Sequence, residues 1–400
     1  MASSLRRALR RSDFRRLFLA QTISRWGDTF NYVALVILVF RLTGSGLKVA
    51  AIVAFEIVPV LLLGFVAGAV VDRFPRRTVM VISDVGRAAI AFALAASHEQ
   101  LAFVYVAAFA LASFSVFFNP AASSVVPSLV DEDEVVGANS ALWSAAVISQ
   151  IVLAPAAGGL VALAGPGWAF AINGATFLIS ALFLMKLSIE RVPSVAARTL
   201  SEILEGLRVL RRSRFLRTLG AVQALAALST GATSALLVVL AQQHLGVGAA
   251  RFGFLLTAIG LGAALGPLVL QRVATEVRRP LLLFGPYLLR GAVDLVLAAF
   301  SSFTTAVGAL FFYGIGTSTG NVTYNTALQK NVPDRLRGRV FAFYDVVWQS
   351  TRLVSLGLGG FVADRIGITS VYVLGGALLI AAAVFGFAAM PREAMTETVS

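Results

Sequence analysis

Twelve runs of about twenty apolar residues, joined by short polar loops, leave this 400-residue chain few ways to fold. A helix needs roughly 20 mostly apolar residues to cross the hydrocarbon core of a bilayer. The runs cover about residues 17–40, 49–71, 79–97, 101–121, 139–163 and 168–188, then 216–240, 252–272, 281–300, 304–326, 340–362 and 369–389. Only 13% of the residues are charged, about half the usual share of roughly 25% in a soluble domain. Hydrophobic residues make up 58%, and the mean hydropathy is +0.85. The expectation is an all-α, multi-pass membrane protein with twelve transmembrane helices.

The net charge of +13 has a topological explanation. With the N-terminus placed in the cytoplasm, 25 of the 33 Lys and Arg residues fall on the cytoplasmic side, four on the other side and four inside spans. Basic residues collect in cytoplasmic loops, so both termini are expected in the cytoplasm, as in a bacterial inner (cell) membrane protein. No stretch is left for a soluble nucleic-acid-binding domain, so no nucleic-acid partner is expected. The apolar segment from Leu17 to Phe40 is too long for a secretory leader and reads as an uncleaved first span.

The chain has no cysteine and two histidines, His98 and His244, both in predicted loops. No metal site, no cofactor and no cysteine or histidine chemistry within a span is expected. No phosphate-binding loop is present either, and the protein is not expected to be an enzyme.

The two halves repeat each other. Asn119 and Pro127 are matched by Asn325 and Pro333, each pair eight apart at the end of the fourth span of its half. Trp143 and Trp348 follow in the next span, and Gly64/Gly68 in span 2 are echoed by Gly262/Gly266 in span 8. Repetition of this kind predicts two pseudo-symmetric six-helix bundles, residues 1–188 and 216–400. The segment 189–215 between them has Leu200, Ile203, Leu204, Leu207 and Leu210 at helical spacing, with Thr199 and Glu202 placed as a capping box. It reads as a cytoplasmic amphipathic linker lying on membrane lipid.

Between spans 2 and 3 runs Gly64-Phe-Val-Ala-Gly68-Ala-Val-Val-Asp72-Arg73-Phe-Pro75-Arg76-Arg77. Glycines four apart on a membrane helix are expected to admit a close neighbour. Gly68-x-x-x-Asp72-Arg73-x-x-Arg76-Arg77 resembles the loop signature of the major facilitator superfamily, with Pro75 where that signature has glycine. Phe118-Asn119-Pro120-Ala121, Val126-Pro127-Ser128-Leu129-Val130, Ala138-Asn139-Ser140, Glu205-Gly206-Leu207-Arg208, Gln329-x-x-Val332-Pro333 and Arg337-Gly338-Arg339 look like its macrolide-efflux and enterobactin-exporter branch. The resemblance spans nearly the whole chain and implies a monomer. It gives Asp72 a gating role, contact with the start of helix 11 that locks the outward-facing state, and physics agrees that an anion suits a helix N-terminus. Gly68, Arg73, Arg76, Arg77, Asp84 and Arg87 join it as gating candidates. Of the helix 5 antiporter motif, Pro155, Gly158 and Gly159 are present, while the arginine common in span 4 of proton-coupled drug exporters is absent.

Nine ionisable residues fall inside the spans: Asp28, Glu56, Asp84, Asp294, Asp345, Arg25, Arg87, Arg290 and Arg352. Groups at membrane depth are functional candidates by default. Arg25/Asp28 and Asp84/Arg87 are three apart and Arg290/Asp294 four apart, so each pair can meet along its own helix. Glu56 has no base within a turn on its helix, and Asp28 neighbours Thr29 and Asn31. Asp28, Glu56, Asp294 and Asp345 are the proton-coupling candidates. Arg25, Asn31, Asn119, Trp143, Gln223, Arg290, Tyr313, Asn321, Tyr324, Trp348 and Arg352 are the substrate-cavity candidates.

The function expected is secondary active export of a small amphiphilic compound (a drug, siderophore or secondary metabolite) by alternating access, with proton antiport in which Glu56 and Asp28 trade protons against substrate. The alternative in the same fold is an uptake carrier or a lysolipid flippase. A third reading, a non-transporting membrane sensor or scaffold, would need no intramembrane charges.

Overall fold

The computed structural model describes residues 7–188, 213–273, 280–332 and 334–390. Nearly all of these residues are helical, and none is in a strand. The long helices are α1 (Ser12–Thr43), α2 (Gly46–Arg73), α3 (Arg76–Ser97), α4 (Leu101–Leu129), α5 (Val135–Ala164) and α6 (Pro166–Met185). They continue with α7 (Arg214–Ala235), α8 (Ala249–Val273), α9 (Pro280–Ala299), α10 (Phe303–Asn331), α11 (Asp334–Arg365) and α12 (Ile368–Ala389). The amphipathic linker expected over 189–215 lies, apart from its last three residues, outside the described residues.

Eight of these helices are long and apolar enough to cross a membrane, and a ninth qualifies if α7 and the following Leu237–His244 count as one bent span. The count of twelve is not reached by length and apolarity alone. α1 carries Arg25, Asp28 and Asn31, α10 carries Thr317, Ser318, Thr319 and Asn321, and α11 carries Asp345, Gln349 and Arg352. Those polar groups lower the hydropathy of the three helices that fall short.

The bend after α7 has a visible cause nearby. The hydroxyl of Ser355 on α11 accepts from the Ala232 N–H at 2.9 Å and donates to the Leu228 carbonyl at 2.5 Å. It thereby bridges one step of the helix ladder, a known origin of kinks. The axis turns by 44° between Arg214–Ala235 and Leu237–His244.

The described residues group into two compact units. The first takes in those within Met1–Leu42, Ala54–Arg198 and Ala249–Gly253, the second those within Thr43–Val53, Thr199–Gly248 and Phe254–Ser400. In the first unit α3 packs on α4 and α6. Its core joins Phe14 and Leu17 of α1, Met80 of α3, Phe118 and Val125 of α4 and Leu184 of α6. In the second unit α9 packs on α10 and α12, and α7 on α11 and α12. Its core joins Leu219, Phe284, Tyr324, Val340 and Leu379. The α3 contacts shifted by six helices are the α9 contacts, as the sequence repeat predicts. The repeat reaches the backbone too. The described positive-φ residues are four glycines, Gly44 and Gly246 in the turns before α2 and α8, Gly165 and Gly367 in those before α6 and α12.

The polar end of the first unit is clamped by its N-terminal arm. Arg7 pairs with Asp133 at 3.0 Å and approaches Glu134 at 3.7 Å. Arg11 pairs with Asp131 and, at 3.1 Å, with Glu134. Those acids form the turn between α4 and α5, where Asp131 and Glu134 make a capping box. Arg77 donates to the Leu187 carbonyl at 3.1 Å, just past α6, where a helix C-terminus leaves carbonyls unpaired.

The glycine pairs differ from expectation. A Cβ at Gly64 or Gly68 would meet nothing within 4 Å, so the close crossing expected there is absent among the described residues. It occurs at the echo instead. A Cβ on Gly262 would strike the Phe311 carbonyl oxygen, and one on Gly266 the Ser318 hydroxyl, so α8 and α10 touch backbone to backbone. Identical spacing on two helices creates two flat faces, but only one has a neighbour on it. Gly262→Leu is therefore expected to destabilise by about 1–3 kcal/mol through overpacking. Gly68→Leu should change stability by less than about 0.5 kcal/mol. Thermal unfolding in detergent checks both, and a larger loss at Gly68 would reverse the assignment.

Candidate functional site

One face of α5 repeats small residues at helical spacing, Gly137, Ser140, Ala141, Ser144, Ala145 and Ser149, with Ile148 the one large side chain among them. Beside that face lies a cavity of about 670 Å³. Phe18, Thr22 and Trp26 of α1 form the opposite wall, and Leu9 of the N-terminal arm also lines it. Among the described residues no charged side chain lines the cavity. The hydroxyls of Ser140 and Ser149 are spent on their own helix, donating to the Val136 and Ala145 carbonyls at 2.8 and 2.6 Å. Thr22 Oγ1 is buried and has no hydrogen-bond partner. The wall is thus mostly apolar, with the buried, unsatisfied hydroxyl of Thr22 and the exposed hydroxyl of Ser144, and suits the body of a hydrophobic molecule carrying a hydrogen-bonding group.

Inside the same unit lies a buried charge cluster. Asp84 on α3 is fully buried, and its carboxylate pairs with Arg87 one turn on. Ser180 of α6 donates to the other carboxylate oxygen at 2.7 Å. The Arg87 guanidinium sits between the rings of Phe118 and Phe177, 4.3 Å from each centroid. Cation–π contact on both faces offsets part of its desolvation. Asp28 of α1 interacts electrostatically with Arg87 and Arg25, and with Asp84. The expected Arg25/Asp28 ion pair is not formed, because Arg25 is exposed while Asp28 turns inward. Asp84 is the carboxylate that pairs with the buried guanidinium, and no hydrogen bond or ion pair joins Asp28 to it among the described residues.

The second unit has a looser counterpart on α9. Arg290 and Asp294 are both buried, yet they form no ion pair. Arg290 turns to α10, donating to Tyr313 Oη at 3.1 Å and lying 4.9 Å from that ring. Asp294 turns toward α12, where a Cβ on Gly375 would come within 3.6 Å of its Oδ2, and that oxygen has no hydrogen-bond partner. The two side chains share a helix face by spacing but point to different neighbours. Tyr287 donates to Gln223 at 3.0 Å, bridging α9 and α7. Tyr324 Oη is buried without a partner. A smaller apolar cavity of about 470 Å³ lies between α8 and α10, walled by Phe254, Phe311 and Phe312.

The other predicted residues scatter. Asn31 is buried with an unsatisfied Oδ1. Asn119, Trp143 and Asn321 are exposed, and Trp143 does not line the α1–α5 cavity. Trp348 packs against the core of the second unit. Glu56 is half-buried and Asp345 exposed, while Arg352 forms no ion pair among the described residues. Asp72 makes no hydrogen bond or ion pair among the described residues, and Arg73 is exposed. Arg76 reaches the Ser124 carbonyl at 3.5 Å. Gly158 of the helix 5 motif faces the Ala249 carbonyl, whereas Gly159 meets nothing. Sequence reasoning missed the serine stripe of α5 and Thr22. The signal available was the i, i+3, i+4 recurrence of small residues from Gly137 to Ser149.

Three comparisons locate this architecture among known proteins. The uncharacterized MFS-type transporter YfiS of Bacillus subtilis is 29% identical over 386 residues, covering 91% of this chain and 90% of that protein. The multidrug efflux pump Tap of Mycobacterium tuberculosis is 27% identical over 379 residues, covering 89% of this chain and 88% of Tap. The crystal structure of the nucleoside transporter NupG superposes with a TM-score of 0.72 at 12% identity, covering 94% of this chain and 98% of that one. At that identity the likeness concerns the fold alone. Residues 3–399 match the family described as transmembrane secretion effector, and the chain belongs to that family of major facilitator superfamily transporters.

Proposed function

We propose that this transporter is a secondary active exporter of a small, uncharged amphiphile, held with its apolar body in the α1–α5 cavity and a polar group at Thr22. The observation that carries the reading is a cavity of about 670 Å³ that no charged side chain lines among the described residues, with the buried, unpartnered hydroxyl of Thr22 on its wall. The efflux function in the name of Tap supports the direction. Twelve spans in two six-helix bundles, 1–188 and 216–400 joined by 189–215, work by alternating access in a bacterial inner membrane, as a monomer with both termini in the cytoplasm. Protons drive the cycle through Asp28, with Glu56, Asp294 and Asp345 as further candidates. Asp28 is an acid at membrane depth without an ion pair among the described residues, the kind of group that can take up and release a proton.

The test is accumulation of uncharged amphiphiles (neutral steroids), beside macrolides, lipophilic cations and catecholate siderophores, in a bacterium stripped of its own pumps, with and without a protonophore. The expected result is lower accumulation of the uncharged amphiphiles, abolished by the protonophore. Higher accumulation of any compound would favour the uptake alternative. Unchanged accumulation of every compound, with the protein present in the membrane, would remove the exporter reading for these classes.

A further inference from the structure

The hexapeptide that carries the loop signature occurs twice. Gly68-x-Val70-x-Asp72-Arg73 ends α2, and Gly360-x-Val362-x-Asp364-Arg365 ends α11. The two acids are in different circumstances. Asp72 has no hydrogen bond or ion pair among the described residues, whereas Asp364 holds the other end of α2. Its Oδ1 accepts from the Gly46 N–H at 2.6 Å, and its Oδ2 accepts from the Leu47 N–H at 3.3 Å and the Ser45 hydroxyl at 2.5 Å. Ser45 Oγ in turn accepts from the Lys48 N–H at 3.2 Å.

The first three N–H groups of α2 are thus satisfied, two of them by a residue more than three hundred positions away in sequence. Helix starts are ordinarily capped by their own preceding residue. Here Ser45 does a third of that task, and a carboxylate on another helix does the rest, aided by the positive end of the α2 dipole. No ion pair involves Asp364 among the described residues, so its bonds to α2 are what hold it. The backbones meet as well. A Cβ on Gly360 would lie 2.7 Å from Leu47 Cα and 3.0 Å from Ala50 Cβ, and one on Gly46 would lie 2.8 Å from Ala363 Cβ. A glycine on each side makes room for this contact. Unlike packing of large apolar side chains, such a contact separates along a flat face without leaving a cavity.

We propose that Asp364 is a gating residue of the transport cycle: its carboxylate latches the start of α2 to the end of α11 in one state and releases it in the other. The device rests on the alternating-access reading but not on any substrate. Residues 43–53 group with α11 while the remainder of α2 groups with the first unit, so α2 is the element on which such a latch acts.

The chain contains no cysteine, so a single introduced thiol reports on one place. Ala50→Cys lies under the latch, where Ala50 is 1% exposed, and Ala226→Cys in the core of the second unit, where Ala226 is 0% exposed, serves as control. Labelling of each purified protein in detergent by a maleimide dye is compared with and without Asp364→Asn, which keeps the shape but not the charge. Asp364→Asn is expected to raise the labelling rate at position 50 about fivefold, the usual weight of a lost cap, and to leave position 226 unchanged. Ser45→Ala should give a smaller rise at position 50 alone. Unchanged labelling at position 50 overturns the proposal. An equal rise at both positions also overturns it, since Asp364 would then serve only the stability of the fold. Labelling uses no substrate, so failure of the export assay and failure of the latch are read separately.

Discussion

Arg87→Met is expected to destabilise the folded protein by about 3–5 kcal/mol, the range seen when one partner of a buried ion pair is removed. The physical reason is Asp84. It is 0% exposed, and after the substitution its carboxylate keeps only the Ser180 hydroxyl as a close partner. Methionine fills the slot between Phe118 and Phe177, where a sulfur suits aromatic neighbours, so the loss reports charge rather than volume. The paired change Asp84→Asn with Arg87→Met should recover most of the stability, because no uncompensated charge remains. Thermal midpoints and size-exclusion profiles in detergent measure both. A single variant as stable as the parent would show that the ion pair contributes nothing to the fold.

Asp28→Asn is expected to abolish uphill export while leaving downhill exchange of the same compound intact. Losing one driven charge removes about 2.3 kcal/mol per 100 mV, equivalent to about fifty-fold in the concentration ratio sustained across the membrane. The test uses proteoliposomes with an imposed potential and pH gradient, compared with counterflow at equal pH. If uphill export persists in Asp28→Asn, the coupling proton is carried elsewhere, and Glu56 and Asp294 are the next residues to change. If counterflow is lost as well, Asp28 belongs to substrate binding or to the fold.

These expectations depend on facts of different origin. That the chain is helical and crosses a membrane repeatedly was legible in the apolar runs, because lipid offers no partner to a backbone amide and each run must satisfy itself. Two helix starts carry an ordinary serine cap that the sequence analysis did not single out: Ser213 on α7 and Ser302 on α10. The family was legible in Gly68…Asp72-Arg73 and in the motifs of the fourth and fifth spans. The buried pair Asp84/Arg87 was legible from its spacing. Arg290/Asp294, with almost the same spacing, was not a pair, since the neighbours of α9 draw the two side chains apart.

By itself the sequence determined what each helix offers: its length, its polar face, its glycines and the order in which helices repeat. Tertiary structure alone decided what each face meets. Gly64/Gly68 and Gly262/Gly266 are the same pattern, yet only the second is crossed by another backbone. Asp72 and Asp364 are the fifth residues of the same six-residue pattern, yet among the described residues only Asp364 holds a helix start. The cavity at Thr22 lies where the serine face of α5 stands opposite α1. Periodicity settles which side chains share one side of a helix, a local matter of 3.6 residues per turn. Which residues stand across from them depends on how all the helices pack at once, and no local spacing encodes it.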